Sequence, residues 1–234
     1  MNNYQSRFIN QGFNKLYLVI DTSFLLGDIL TKRNSFDQES FYQRCKYVRE
    51  VGGKCARVLD EIDKELDNLS ERCNLKSEMS RGRTELASVE IFPSIPNIRE
   101  DYLFTFLTAQ IEKIGKKLNN ETSKKELSQV DINYGSYSIL KTTKGDVIAA
   151  TRDNLLIDSM REVYRIAHPV FMNLGNGTSD RKLYFARTCF EVDNALREIS
   201  IIKSIRGANH QASFSKGDEK AHIKYLYMNP LSYT

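Results

Sequence analysis

The chain has 234 residues, 41% hydrophobic and 27% charged, with a formal net charge of +4. These proportions suit a globular protein with one substantial core and exclude a disordered chain, while so mild a charge does not by itself identify a polyanionic partner. The four cysteines, Cys45, Cys55, Cys73 and Cys189, contain no CxxC pair, which argues against a zinc ribbon or a disulfide framework and predicts reduced thiols in the cytoplasm.

The opening MNNYQSRFINQGFNK has no uninterrupted apolar run, and no stretch approaches bilayer-crossing length, so neither a secretory leader nor a membrane partner is expected. Residues 16–20 are apolar or aromatic and read as a strand buried on both faces, with Asp21 at its carboxyl end. DTSFLLGDILTKRNS reads as a short helix or turn, and DQESFYQRCKYVREVGG as an amphipathic helix stopped by Gly52 and Gly53. A strand is expected in KCARVL. DEIDKELDNLSE follows as a helix with Ile62, Leu66 and Leu69 on one stripe and Glu61 in its first turn. ERCNLKSEMSRGRTE is polar and carries Arg72, Lys76, Arg81 and Arg83, which predicts a mobile basic loop able to serve as a substrate arm.

VEIFPSIP is expected to be extended, and REDYLFTFLTAQIEKIGKKLN a long helix with Leu103, Phe106, Leu107, Ile111 and Ile114 at helical spacing. SKKELSQVDINYGSYSILKTT reads as partly helical, and GDVIAATRD repeats the opening pattern of an apolar run ending in an acid, Asp153. NLLIDSMREVYRIA is predicted as a helix and HPVFMNLG as a last core strand. The alternation of strands and helices points to an α/β domain with a mainly parallel sheet. After a turn-rich linker over 174–180, RKLYFARTCFEVDNALREISIIKSI reads as a helix with Ala186, Phe190, Ala195, Leu196 and Ile199 on one face. Such a helix either packs back on the domain or serves a dimer or protein partner. GANHQASFSKGDEK reads as a loop and KYLYMNP as a short strand.

Four acids stand out: Asp21, Glu61, Asp131 and Asp153. Each has a structural alternative, since Asp21 and Asp153 could cap helices, Glu61 could complement a helix dipole and Asp131 could sit on a solvated face. Two strands delivering acids to one sheet edge would nevertheless set like charges against each other unless a cation compensates. Oxygen donors without His or Cys suit Mg²⁺ or Mn²⁺, and such ions promote phosphodiester hydrolysis. His168, His210 and His222 have no metal-ligand spacing. Neither GxxxxGK[ST] nor GxGxxG occurs, which argues against P-loop and dinucleotide chemistry. A haloacid-dehalogenase-like phosphatase would want a second Asp where this chain has Ser23.

The segments VIDTSFLL, VLDEIDKEL, SQVDINYGSYSIL and VIAATRDNLL together resemble the PIN-domain nucleases, whose pattern is a strand ending in Asp, a helix-borne Glu, a helical Asp, and a strand leading to Thr-x-Asp. The resemblance covers roughly residues 15–175. It implies a three-layer α/β/α sandwich with a central, mainly parallel sheet over 1–175; the C-terminal helical extension over 176–234 and an insertion between the acidic helix and Asp131 depart from the family pattern. It also implies a metal-dependent endoribonuclease in which Asp21, Glu61, Asp131 and Asp153 hold Mg²⁺ or Mn²⁺, with Ser23 and Thr151 as supporting hydroxyls. Glu65, one helical turn beyond Glu61, is the alternative helix-borne acid. Arg152, Lys141, Lys144, Arg81 and Arg83 are candidate contacts to RNA phosphates, the alternative being a solvated surface. Tyr134 and Tyr137 could stack on bases or pack in the core. The competing functions are a structure-specific DNA nuclease and a non-catalytic PIN-like module binding RNA or protein.

Overall fold

The computed structural model describes residues 15–27, 38–52, 55–87, 89–92, 102–122, 126–174 and 182–209. In chain order the elements are β1 (Lys15–Ile20), α1 (Thr22–Leu26), α2 (Gln38–Gly52), β2 (Ala56–Leu59), α3 (Asp60–Arg72), α4 (Lys76–Leu86) and β3 (Glu90–Phe92). They continue with α5 (Tyr102–Thr122), α6 (Gln129–Lys141), β4 (Gly145–Ala150), α7 (Asn154–Leu174), β5 (Leu183–Ala186) and α8 (Cys189–Asn209). The five strands form one sheet in the order β3-β2-β1-β4-β5, and every pairing is parallel.

Burial explains the strand sequences. All six residues of β4 are buried, as are Tyr17, Leu18, Val19 and Ile20 of β1, and side chains that alternate between two faces can all be buried only if both faces are covered. The helices supply that cover in two groups. α2 packs with α1, α4 and β2, and α3 with α1, α4 and β2, whereas α5, α6 and α7 pack on one another and α6 on β4. At Gly135 of α6 an added Cβ would come within 2.9 Å of Ile111 and 3.1 Å of Met160, so the absence of a side chain lets α5 and α7 close over α6.

The strand order creates a switch point. From β1 the chain proceeds to β2 and β3 on one side, and from β4 to β5 on the other, so the connections leaving β1 and β4 diverge. In open α/β sheets that divergence opens a crevice beyond the strands' carboxyl ends. Asp21 and residues 151–153 lie there, directly after β1 and β4. The backbone ladder runs right up to it: the Asp21 amide donates to Ala150 O at 3.0 Å and the Thr151 amide to Ala186 O at 3.0 Å.

Several expectations are corrected. The predicted basic loop is largely helix α4, with Met79, Gly82 and Leu86 buried. HPVFMNL is no strand; α7 runs through Pro169 to Leu174. LYFA is the strand β5, not the start of a helix, so the sheet continues past residue 175, where the domain boundary was expected. Phe190, expected on a packed face, is 67% exposed, and Phe106 is 43% exposed while Leu107 and Ile111 are buried. The helical extension is present as α8, and the chain divides into two compact units between Ala195 and Leu196, inside that helix. The linker predicted at 174–180 and the strand predicted in KYLYMNP fall, apart from Leu174, outside the described residues. The four cysteines are free thiols. Among the described residues no helix is long and apolar enough to cross a membrane.

Candidate functional site

Asp21 is the centre of the site. It ends β1 and caps α1, accepting the Ser23 amide at Oδ2 (3.3 Å). The same oxygen accepts the Ser23 hydroxyl in a short hydrogen bond and the Thr151 hydroxyl at 2.8 Å. Ser23 Oγ accepts the Arg152 amide at 2.9 Å, and Thr151 Oγ1 accepts the Asp153 amide at 3.2 Å. The two hydroxyls lie 3.1 Å apart. With each proton directed at Asp21 and each oxygen receiving a backbone amide, both hydroxyls are fixed in direction, and the ends of β1 and β4 are tied together through one carboxylate oxygen.

The five-residue helix α1 is braced from behind. Its last turn ends at Gly27, whose φ of 56° lies in the left-handed region, and Arg44 of α2 donates to the carbonyls of Phe24 (3.3 Å) and Leu25 (3.4 Å). A Cβ at Gly27 would overlap the Arg44 guanidinium, so this position needs glycine for space as well as for backbone conformation.

Burial pushes the Asp21 carboxyl up to about 6, against the hydrogen bonds from Ser23 and Thr151, which lower it; the charges of Asp131 and Glu65 raise it further. Acids from β1, α3 and α6 therefore act on one another at the switch point. Glu65 is drawn in by Thr22, whose hydroxyl donates to Oε2 at 2.6 Å. Glu61, one turn earlier, is held by Asn133 of α6, whose amide nitrogen lies 3.0 Å and 3.2 Å from its two oxygens.

Asp131 and Asp153 also serve their helices. Asp131 closes a capping box on α6, accepting the Ser128 amide at 2.8 Å and hydroxyl at 2.7 Å. Asp153 Oδ1 accepts the Leu156 amide at 2.9 Å at the start of α7. For the two strand-end aspartates, the hydrogen bonds among the described residues fall on a single oxygen: Oδ2 in Asp21 and Oδ1 in Asp153. One oxygen of each lies outside these bonds.

The donor set is carboxylate and hydroxyl, the chemistry of a hard divalent cation. Among the described residues, no group of three or more His, Cys, Asp or Glu is placed to hold a metal ion.

The basic residues divide differently. Arg152 lies in the loop after β4, at the site. Lys141 and Lys144 precede β4, so the six-residue strand separates them from Asp153 by roughly 16–20 Å. Lys141 is buried, its ammonium 4.8 Å from the Tyr137 ring centre and 5.7 Å from that of Tyr17, which corrects both the phosphate contact and the solvated alternative. Lys144 is exposed at that opposite edge. Arg83 pairs with Asp63 (2.8 Å) and Asp67 (2.6 Å), and Arg81 lies 3.7 Å over Tyr42 and 3.3 Å from Glu39. Neither arginine stands on a mobile arm. Tyr134 is buried and donates to Val19 O at 3.0 Å, and Tyr137 is buried, so both pack rather than stack on bases.

Sequence reasoning missed Thr22 and Asn133, the neutral residues that hold Glu65 and Glu61. The signal available was their spacing: Thr22 adjoins Asp21, and Asn133 follows Asp131 by two. No protein-family model, no curated protein and no solved structure matches the chain.

Proposed function

We propose that the protein is a metal-dependent nuclease of PIN-like type, an endoribonuclease using Mg²⁺ or Mn²⁺, with its reaction at the β1–β4 switch point. The observation that carries this reading is the buried Asp21 carboxylate at the crevice between β1 and β4, one oxygen tied down by two oriented hydroxyls and its charge opposed by those of Asp131 and Glu65. The three-layer sandwich of the PIN domains accommodates the parallel sheet and its two groups of helices.

In this reading Asp21 would hold the cation, with Glu65 and Asp131 as further acids beside it and Asp153, after the rigid end of β4, as the fourth. Ser23 and Thr151 orient Asp21 and keep its second oxygen from rotating into the site. A bound ion would supply water activation and charge stabilisation for phosphodiester hydrolysis. Arg152 is the cation nearest in sequence to the acids and the candidate to meet a substrate phosphate. Flexible single-stranded or looped RNA, whose backbone can enter an acidic crevice, is the favoured substrate over DNA.

A non-catalytic binding module is the second reading, favoured by the capping roles of Asp131 and Asp153. The two separate on incubation of the full chain with labelled RNA and DNA pools in Mn²⁺ or EDTA. The nuclease reading expects Mn²⁺-dependent RNA cleavage that Asp21→Asn reduces by more than about 100-fold, beyond the loss typical of a residue that merely supports a ligand. Cleavage that persists in EDTA or in Asp21→Asn would overturn it, and intact pools in Mn²⁺ would favour the module.

A further inference from the structure

The register of the sheet extends the crevice edge beyond β4. Ile20 of β1 pairs with Ala150 of β4, and Ala150 with Ala186 of β5. Asp21, Thr151 and Arg187 are therefore equivalent positions, each one residue past its strand at the same carboxyl edge, and two strand spacings put the Arg187 backbone roughly 10 Å from that of Asp21. Arg187 is exposed, and three residues on, in the first turn of α8, Phe190 is 67% exposed. A lone exposed ring needs no explanation; this one adjoins an exposed cation at the edge that carries Asp21. The turn beneath it is held firmly. Glu191 accepts the amides of Arg187 and Thr188, the latter at 3.2 Å, while its own amide donates to Thr188 Oγ1 at 3.2 Å. Tyr47 of α2 places its hydroxyl 2.8 Å from both Cys189 O and Asp193 Oδ1. Both acids of the turn thus serve to fix it, and the ring of Phe190 stands on an ordered base.

We propose that Arg187 and Phe190 form a docking surface for single-stranded RNA: one unpaired base stacks on the Phe190 ring, and Arg187 meets a backbone phosphate beside it. Unpaired RNA has both parts, because every base offers a face to an aromatic ring whatever the sequence, and its phosphates complement an arginine. A duplex keeps its bases stacked within the helix and cannot use the ring, so the surface selects single strands and loops. The choice of RNA as occupant rests on the nuclease reading above. What the surface adds is a pair of residues outside the acids and a physical cause for single-strand preference that the acids do not provide.

The chain contains no tryptophan, so Phe190→Trp places a single fluorophore at the surface. In the full chain, with EDTA present to prevent cleavage, oligouridylate should quench that emission, and an abasic oligomer of equal charge should leave it unchanged. By fluorescence anisotropy, Phe190→Ala should weaken oligouridylate binding about 5- to 150-fold, the loss of one stacked base. Arg187→Gln should lower the slope of log affinity against log salt by about 0.7, one phosphate contact on a single strand. Unchanged affinity in Phe190→Ala, or Trp emission indifferent to RNA, overturns the proposal. A second copy of the chain is the competing occupant: if sedimentation shows a dimer that Phe190→Ala dissociates while RNA affinity is retained, the proposal is also overturned. Cleavage in Mn²⁺ is measured separately. Phe190-dependent binding without Mn²⁺-dependent cleavage removes the nuclease reading and keeps the docking surface, whereas cleavage with unaffected binding in Phe190→Ala removes only the surface. A wild-type chain that holds oligouridylate neither in EDTA nor in Mn²⁺ removes both.

Discussion

The two ends of the central strands both bury charge, by opposite means. At the carboxyl ends of β1 and β4, Asp21 is 3% exposed, hydrogen-bonded by hydroxyls and opposed by the like charges of Asp131 and Glu65. Toward the amino ends, Lys141 is 9% exposed and lies over the rings of Tyr17 and Tyr137, while Arg57 lies 6.0 Å from the Tyr17 ring centre. There the electron-rich ring faces stabilise the cation. One end sets ring faces against its buried cation; at the other, burial is the largest cause that raises the Asp21 carboxyl, and the charges of Asp131 and Glu65 add to it.

Proton binding offers the sharpest way to break this contrast. Asp21 titrates at about 6 in the fold against a usual 3.8, so the folded state holds its proton more tightly than the unfolded chain. Between those values unfolding releases a proton, and stability falls as pH rises from about 4 to about 6. The gap corresponds to roughly 3 kcal/mol, a cost absent below pH 4 and present in full above pH 6. Urea unfolding of the metal-free protein from pH 4 to 7 should show that decline, and Asp21→Asn should flatten it. A wild-type profile rising through this window would place Asp21 among ordinary paired carboxylates.

Thr151→Val keeps the shape of the side chain but removes the donor to Asp21 and the acceptor of the Asp153 amide. Mn²⁺ affinity should fall about 10- to 100-fold, as for other residues that orient a ligand; unchanged affinity would mean that the hydroxyl only finishes the strand. At the other edge, Lys141→Met should cost about 1–2 kcal/mol in urea unfolding through lost cation–π contacts and leave Mn²⁺ binding intact. A loss of Mn²⁺ affinity there would erase the division between the edges. The smallest effect is expected from Arg83→Ala, since partly exposed ion pairs contribute up to about 1 kcal/mol. RNA cleavage should be unchanged, and a marked decrease would return Arg83 to the substrate path.

The parts of the fold legible in the sequence were those in which burial leaves a strong pattern. Residues 16–20 and GDVIAA could be read as core strands because both faces are covered, and the acids after them marked the carboxyl edge. α4 escaped notice because its buried stripe has only Met79, Gly82 and Leu86. The missing side chain of Gly82 is what admits Phe41, whose ring would lie 2.4 Å from a Cβ there. HPVFMNL misled in the other direction: a short apolar run has no period of its own to tell helix from strand. The proximity of Lys141 to Asp153 in sequence ignored the length of β4 between them. The roles of Thr22 and Asn133 depend on helix-to-helix placement, to which local sequence is blind.

The central claim is that the acids at the switch point form a cation site, and the thermal midpoint of the full chain with and without Mn²⁺ at pH 7.5 tests it most directly. At a Mn²⁺ concentration about 100 times the dissociation constant, binding to the folded state should add about 2.7 kcal/mol and raise the midpoint by roughly 5–10 °C. The rise should disappear in Asp21→Asn. A wild-type midpoint indifferent to Mn²⁺, or one that rises equally in Asp21→Asn, would contradict the account.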